Sequence, residues 1–131
     1  MSDSEDARAL ATLGRSLERL REALEQPDEN PLAVDGTIQR FEFSIELFWK
    51  TLRRLLTREG VTTSTPREAL TAAYRAGWLL DETAWLQMLR DRNETSHTYN
   101  EATARRIYAS IRRSFPEMER AFRELRGRLP K

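Results

Sequence analysis

A chain of 131 residues, 33% of them charged and none of them cysteine, is long enough for one domain with a single core and excludes disulfides and thiolate-bound metal. The opening Met-Ser-Asp-Ser-Glu-Asp has neither the basic start nor the apolar run of a leader, and no apolar run approaches the ~18 residues of a membrane span, so a soluble cytoplasmic domain over residues 1–131 with no membrane contact is expected. Net charge is only +1, yet residues 1–46 hold eleven acids against five arginines and residues 101–131 nine bases against four acids, which could offer a cationic flank to RNA or reflect two solvated helix faces.

In chain order, Leu10, Leu13, Leu17, Leu20 and Leu24 recur at steps of three and four, the stripe of an amphipathic helix from about Asp3 to Gln26 that Pro27-Asp-Glu-Asn-Pro31 ends. The second helix is expected from Asp35 or Thr37 to Glu59, with Ile38, Phe41, Ile45, Phe48, Leu52 and Leu55 on one seam and Gly60 as its cap. Phe43, Trp49 and Leu56 lie off that seam, so this helix has a second apolar side and is central or at a subunit interface. Glu42, Glu46 and Lys50, one turn apart, read as an ion-pair ladder rather than as a metal or acid/base pair. Thr65-Pro66-Arg67-Glu68 is a capping box that opens a short third helix ending at Gly77. Asp81 caps a fourth that frays near His97, and Asn100 a fifth with Ile107, Ile111, Phe115, Met118, Phe122, Leu125 and Leu129 inward. Pro116 should bend that last helix near Arg112 without ending it. With no strand alternation anywhere, the class is all-α: an up-and-down antiparallel four-helix bundle with one extra short helix.

Chemistry concentrates in Trp85–Tyr99, WLQMLRDRNETSHTY. Trp85, Met88 and Leu89 face a core, and Arg92 and Ser96 continue their row. One histidine and no cysteine leave no His/Cys metal cluster, no catalytic Cys/His pair and no glycine-rich phosphate loop, so neither metal nor cofactor is expected. Metal-free phosphodiester cleavage can be built. The Arg92 guanidinium can hold a scissile phosphate by paired hydrogen bonds, and an imidazole, which titrates near neutrality in water, can take or give the proton at His97. Asn93 could orient the ring, and Ser96 and Thr98 could bind phosphate oxygens. A single imidazole cannot serve as base and acid at once, whereas two related by a two-fold axis can, so the chemistry also asks for a homodimer. A charged helix face with a solvated histidine accounts for the bare Arg-x4-His-x-Tyr spacing equally well. Arg105, Arg106, Arg112 and Arg113 either line an RNA path or are simply solvated, and Trp49, Trp78 and Trp85 read as core or interface residues.

Read as W-L-x-M-L-x-D-R-N-x-T-S-H-T-Y-N-E, together with Arg40-Phe-Glu-Phe-Ser-Ile-Glu-Leu-Phe-Trp-Lys50 and Ser64-Thr-Pro-Arg-Glu68, the chain resembles the nucleotidyltransferase substrate-binding family, a branch of the HEPN domains that includes the HepT toxins. The likeness runs from about Gly36 to Leu125. It implies that Arg92 and His97 match a ribonuclease centre formed across a dimer. It further implies that Tyr99 matches the acceptor of AMP from a cognate minimal nucleotidyltransferase that silences the toxin. The family name implies an alternative, a non-catalytic subunit that presents substrate to a separate nucleotidyltransferase.

Overall fold

The structure is a computed structural model that describes residues 2–129, and the single-domain reading of 1–131 reaches past these at both ends. Five α-helices follow one another: α1 Ser2–Leu24, α2 Pro31–Arg58, α3 Pro66–Arg75, α4 Glu82–Glu94 and α5 Glu101–Arg128, with a 3-10 turn at Thr95–His97 between the last two. Among the described residues there is no strand, and no helix is long and apolar enough to cross a membrane. Neighbours run antiparallel: Asp6 near the start of α1 pairs with Arg58 at the end of α2, and Trp85, Asp91 and Glu94 of α4 meet Glu117, Ser110 and Arg106 of α5 in reverse order.

The helix ends show why the chain turns where it does. Thr65 Oγ1 accepts from the Glu68 amide, and the Glu68 carboxylate reaches back to the Ser64 amide, so the capping box closes one residue earlier than its usual form. Asp81 and Asn100 accept from the amides of Ala84 and Thr103. Gly60 and Gly77 have φ of 83° and 82°, where a Cβ would be strained, and the amides of Val61 and Trp78 close onto the carbonyls of Leu56 and Ala73. The start of α2 corrects the sequence reading. Asn30 accepts from the Leu32 amide and Pro31 takes the first helical position, so the helix begins at Pro31 rather than at Asp35 or Thr37. The segment 27–31 holds two prolines; the second, preceded by a capping asparagine, opens a helix instead of ending one.

α2 is the central helix, packed against each of the other four. Its seam residues Ile38, Phe41, Ile45, Phe48, Leu52 and Leu55 are buried with the α1 leucines and with Ile107, Ile111, Phe115, Met118 and Leu125 of α5, which passes through Pro116 as one helix. Of its second apolar side, Leu56 is buried, Trp49 is half-buried with an unpartnered Nε1, and Phe43 stands exposed.

Trp85 locks α4 to this frame. Its ring is fully buried edge-on to Phe48, with centroids 4.7 Å apart, and its Nε1 donates to Glu117 at 2.9 Å. Burial pushes the Glu117 carboxyl up, but the hydrogen bonds from Arg120 and Trp85, the Arg120 charge and the Leu80 amide outweigh it and hold its pKa below the ordinary 4.5. A depressed folded-state pKa stabilises in full above the unfolded value and is lost as pH falls through the folded one. The gap in urea midpoint between the wild type and Glu117→Gln should therefore be constant near neutrality and shrink below about pH 4.5, read by tryptophan fluorescence. A gap that widens on acidification would contradict this assignment.

Candidate functional site

The last turn of α4, the 3-10 turn and the two residues that follow it carry the candidate side chains from Asp91 to Tyr99. The inward row of α4 is Trp85, Met88, Asp91, all buried, and this corrects the expected continuation through Arg92 and Ser96. The cause is a helix held on two sides: α5 grips Asp91 and α2 grips Arg92, so the line facing the core falls on Asp91. Arg92 is half-buried at its edge and Ser96 is exposed.

Asp91, 0% exposed, has three partners: Ser110 Oγ donates at 2.5 Å, Gln87 Nε2 at 2.9 Å and Arg106 Nη1 at 3.5 Å. Arg106 also pairs with Glu94. Sequence reasoning assigned Asp91 no role, although it lies three residues from Met88 and six from Trp85, a spacing that puts it on their face. It fixes the backbone from which Arg92 projects.

Arg92 Nη2 lies 2.9 Å from Glu46 Oε2 on α2, and Glu46 Oε1 lies 3.6 Å from Lys50 Nζ. The ladder expected on α2 thus links Glu46 to Lys50 and bends across to α4, while Glu42 has no ion-pair partner among the described residues. Among the described residues only one nitrogen of the guanidinium is engaged, which leaves its remaining N–H donors for another acceptor.

Beyond Arg92 the helix tightens. Thr95 Oγ1 donates to the Arg92 carbonyl at 2.8 Å and Thr98 Oγ1 to the Thr95 carbonyl at 3.1 Å, which makes the local 3-10 geometry and commits both hydroxyls to the backbone. His97 is exposed at the end of this turn, and Tyr99 is 86% exposed with its ring edge-on to the imidazole, centroids 6.2 Å apart. A tyrosine so open is no buried phenol at a helix end. Among the described residues no hydrogen bond joins Asn93 to His97.

The four candidate RNA-path arginines divide. Arg105 donates to the Asp28 carbonyl, Arg106 serves Asp91 and Glu94, and Arg112 spans the Leu24 carbonyl and the Tyr108 hydroxyl. Three of the four thus have structural duties, and among the described residues Arg113 alone of them has no partner. Trp78 and Trp85 are core residues. Among the described residues, no three His, Asp or Glu side chains converge into a metal-holding group.

Comparison with known proteins agrees with this architecture. The sequence model of the family described as nucleotidyltransferase substrate binding protein like matches residues 8–127. A Haemophilus influenzae protein named probable ribonuclease HepT is 35% identical over 83 residues, which are 60% of this chain and 57% of that protein, so the alignment spans little more than half of the relative's length. A crystal structure from Thermus thermophilus superposes with a TM-score of 0.76 at 35% identity, covering 91% of this chain and 99% of the other. A Haemophilus influenzae structure described as revealing the fold of a substrate-binding domain of a nucleotidyltransferase gives 0.70 at 28% identity, covering 95% and 98%.

Proposed function

Because the chain belongs to the nucleotidyltransferase substrate-binding protein-like family, we propose that it is a HEPN-type toxin subunit, a homodimeric ribonuclease that works without a metal or cofactor and is silenced when a cognate minimal nucleotidyltransferase AMPylates Tyr99. The observation that carries this reading is a half-free guanidinium at Arg92, an exposed imidazole at His97 and an open phenol at Tyr99 within one short segment. The name of the ribonuclease-like relative supports the same reading.

The chemistry is in-line transfer. One His97 takes the proton of an RNA 2′-hydroxyl, whose oxygen attacks the adjacent phosphorus. The bond to the 5′-oxygen breaks, a 2′,3′-cyclic phosphate forms, and the protonated His97 of the second subunit supplies the leaving oxygen's proton. The free N–H groups of Arg92 hold the non-bridging oxygens as charge builds on them. Ser96 adds a hydroxyl that has no partner among the described residues, whereas Asn93 and Thr98 contribute by placement, Asn93 next to Arg92 on the exposed side of α4 and Thr98 by closing the 3-10 turn. Of the four candidate RNA-path arginines, Arg113 is the one left without a partner among the described residues and so open to a phosphate, while Arg105, Arg106 and Arg112 also hold neighbouring segments in place.

Silencing follows from charge and bulk. When the Tyr99 phenol attacks the α-phosphorus of ATP, pyrophosphate leaves and a phosphodiester with its adenosine remains one ring contact from His97, where substrate phosphate must sit. Expression of the chain alone should arrest bacterial growth and His97→Ala should relieve the arrest; equal toxicity of the variant, or none from the wild type, defeats the nuclease reading.

The family description favours a second reading, in which the bundle is a non-catalytic substrate-binding subunit of a two-component nucleotidyltransferase. Intact-mass measurement after incubation with the partner and ATP separates the two. One added AMP, lost in Tyr99→Phe, belongs to the toxin reading. An unmodified subunit in a stable complex belongs to the other.

A further inference from the structure

Between α2 and α4, directly beside Arg92, lies a groove of about 590 Å³ walled by Gln39, Glu42, Phe43, Glu46, Arg92 and Asn93. On α2 the residues fall at i, i+3, i+4 and i+7, one face of the helix, and Asn93 closes the groove from α4. Phe43 is 62% exposed, a large aromatic surface left in water. Gln39, Glu42 and Asn93 line the groove, and none of the three has a hydrogen-bond or ion-pair partner among the described residues. Neither the nuclease reaction nor the modification of Tyr99 uses any of these groups except Arg92 and Asn93.

We propose that this groove is a nucleobase subsite that selects guanine next to the phosphate held by Arg92; the inference rests on the nuclease reading above and adds its sequence preference. The occupant is argued from the walls. The unpaired Glu42 carboxylate makes the part of the groove away from Arg92 unsuited to a phosphate, which is repelled there. A base tethered to the phosphate at Arg92 lies within a nucleotide's reach of it. Phe43 supplies the stacking platform on which unpaired bases are held. The Glu42 carboxylate presents two parallel acceptors, which match the adjacent N1–H and exocyclic N2–H donors of guanine; adenine and cytosine offer one amino group in that place, and uracil flanks its single N–H with carbonyls that a carboxylate repels. The amides of Gln39 and Asn93 carry both donors and acceptors, so either can reach the guanine O6 edge. Glu46 is already paired with Arg92 and Lys50, which leaves the reading of the base to Glu42.

The test uses 2′-O-methyl tetranucleotides, which lack the attacking hydroxyl and cannot be cut, with each base in turn beside the central phosphate. Binding to the whole 131-residue chain is followed by fluorescence anisotropy. The wild type should bind the guanine oligonucleotide about tenfold more tightly than the uracil one, and Glu42→Gln should bring that ratio close to one. Phe43→Ala should weaken all four oligonucleotides by about tenfold while keeping their order. Both side chains are exposed, so the variants are expected to stay folded, with unchanged circular dichroism. Equal affinities for all bases in the wild type, or an unchanged ratio in Glu42→Gln, overturn the proposal. If Phe43→Ala alters the oligomeric state and leaves the affinity for all four oligonucleotides unchanged, the groove is a protein contact and the proposal also fails. Guanine-selective binding without cleavage of unmodified RNA would sink the nuclease reading alone, and cleavage indifferent to Glu42 would sink the subsite alone.

Discussion

An equal mixture of wild-type and His97→Ala subunits, under conditions that let dimers exchange, should show about one quarter of the ribonuclease activity of wild-type protein at the same total subunit concentration. The figure follows from a site that needs an imidazole from each chain, one as base and one as acid. Random pairing makes both imidazoles present in only a quarter of dimers, and a dimer with one lacks half of the proton transfers. A site complete within one chain would retain half. Because His97 is exposed and makes no side-chain hydrogen bond among the described residues, its replacement should leave the unfolding midpoint unchanged, so the loss reads on chemistry and not on folding. Pure His97→Ala dimers should be slower by about 10²–10⁴-fold, the usual worth of a positioned acid–base group. A linear decline of activity with the mutant fraction is the result that removes the shared site.

A shared site is a relation between chains, and relations across space are where the sequence stops being legible. The stripes of α1, α2 and α5 were legible because burial there recurs at fixed steps, and the caps at Thr65, Asp81, Asn100, Gly60 and Gly77 because each satisfies backbone groups with its nearest neighbours in the chain. What was not legible is what crosses between helices. Glu46 and Arg92 are 46 positions apart, and no periodicity joins them; the notion of a ladder on α2 found Lys50 but not the guanidinium on the facing helix. The groove beside Phe43 is a property of the same crossing. In the sequence Phe43 is only an apolar residue off the main seam, and in the structure it borders Arg92. The stretch from Asp91 to Tyr99 stood out by the density of its polar types, yet their division of labour depended on which neighbour reached which: Thr95 and Thr98 close a turn, and Ser96 has no partner among the described residues.

Asp91 is the residue on which that division rests, and Asp91→Ala should destabilise the fold by about 3 kcal/mol. Three contributions set the size. The side chain is 0% exposed, so its removal opens a hole in the α4–α5 contact. Ser110, itself buried, loses a charge-assisted acceptor at 2.5 Å, and such bonds are worth ~1.5–3 kcal/mol. Arg106, with 45% of its side chain exposed, turns to water or to Glu94 and adds little. Asp91→Asn keeps an acceptor and the shape, and the Ser110 hydroxyl can reverse to accept from the amide, so the cost should fall to about 1 kcal/mol, the worth of the charge in one hydrogen bond. Urea unfolding measures both, and Ser110→Ala, which removes the partner and leaves the carboxylate to Gln87 and Arg106, should fall between them. An alanine variant as stable as the asparagine one would mean that Asp91 is not the anchor of α4. If instead the ordering holds, RNA cleavage by Asp91→Ala should drop further than its loss of stability explains, because loss of the anchor on α5 lets the Asp91 backbone shift and carry Arg92 away from the phosphate it is proposed to hold.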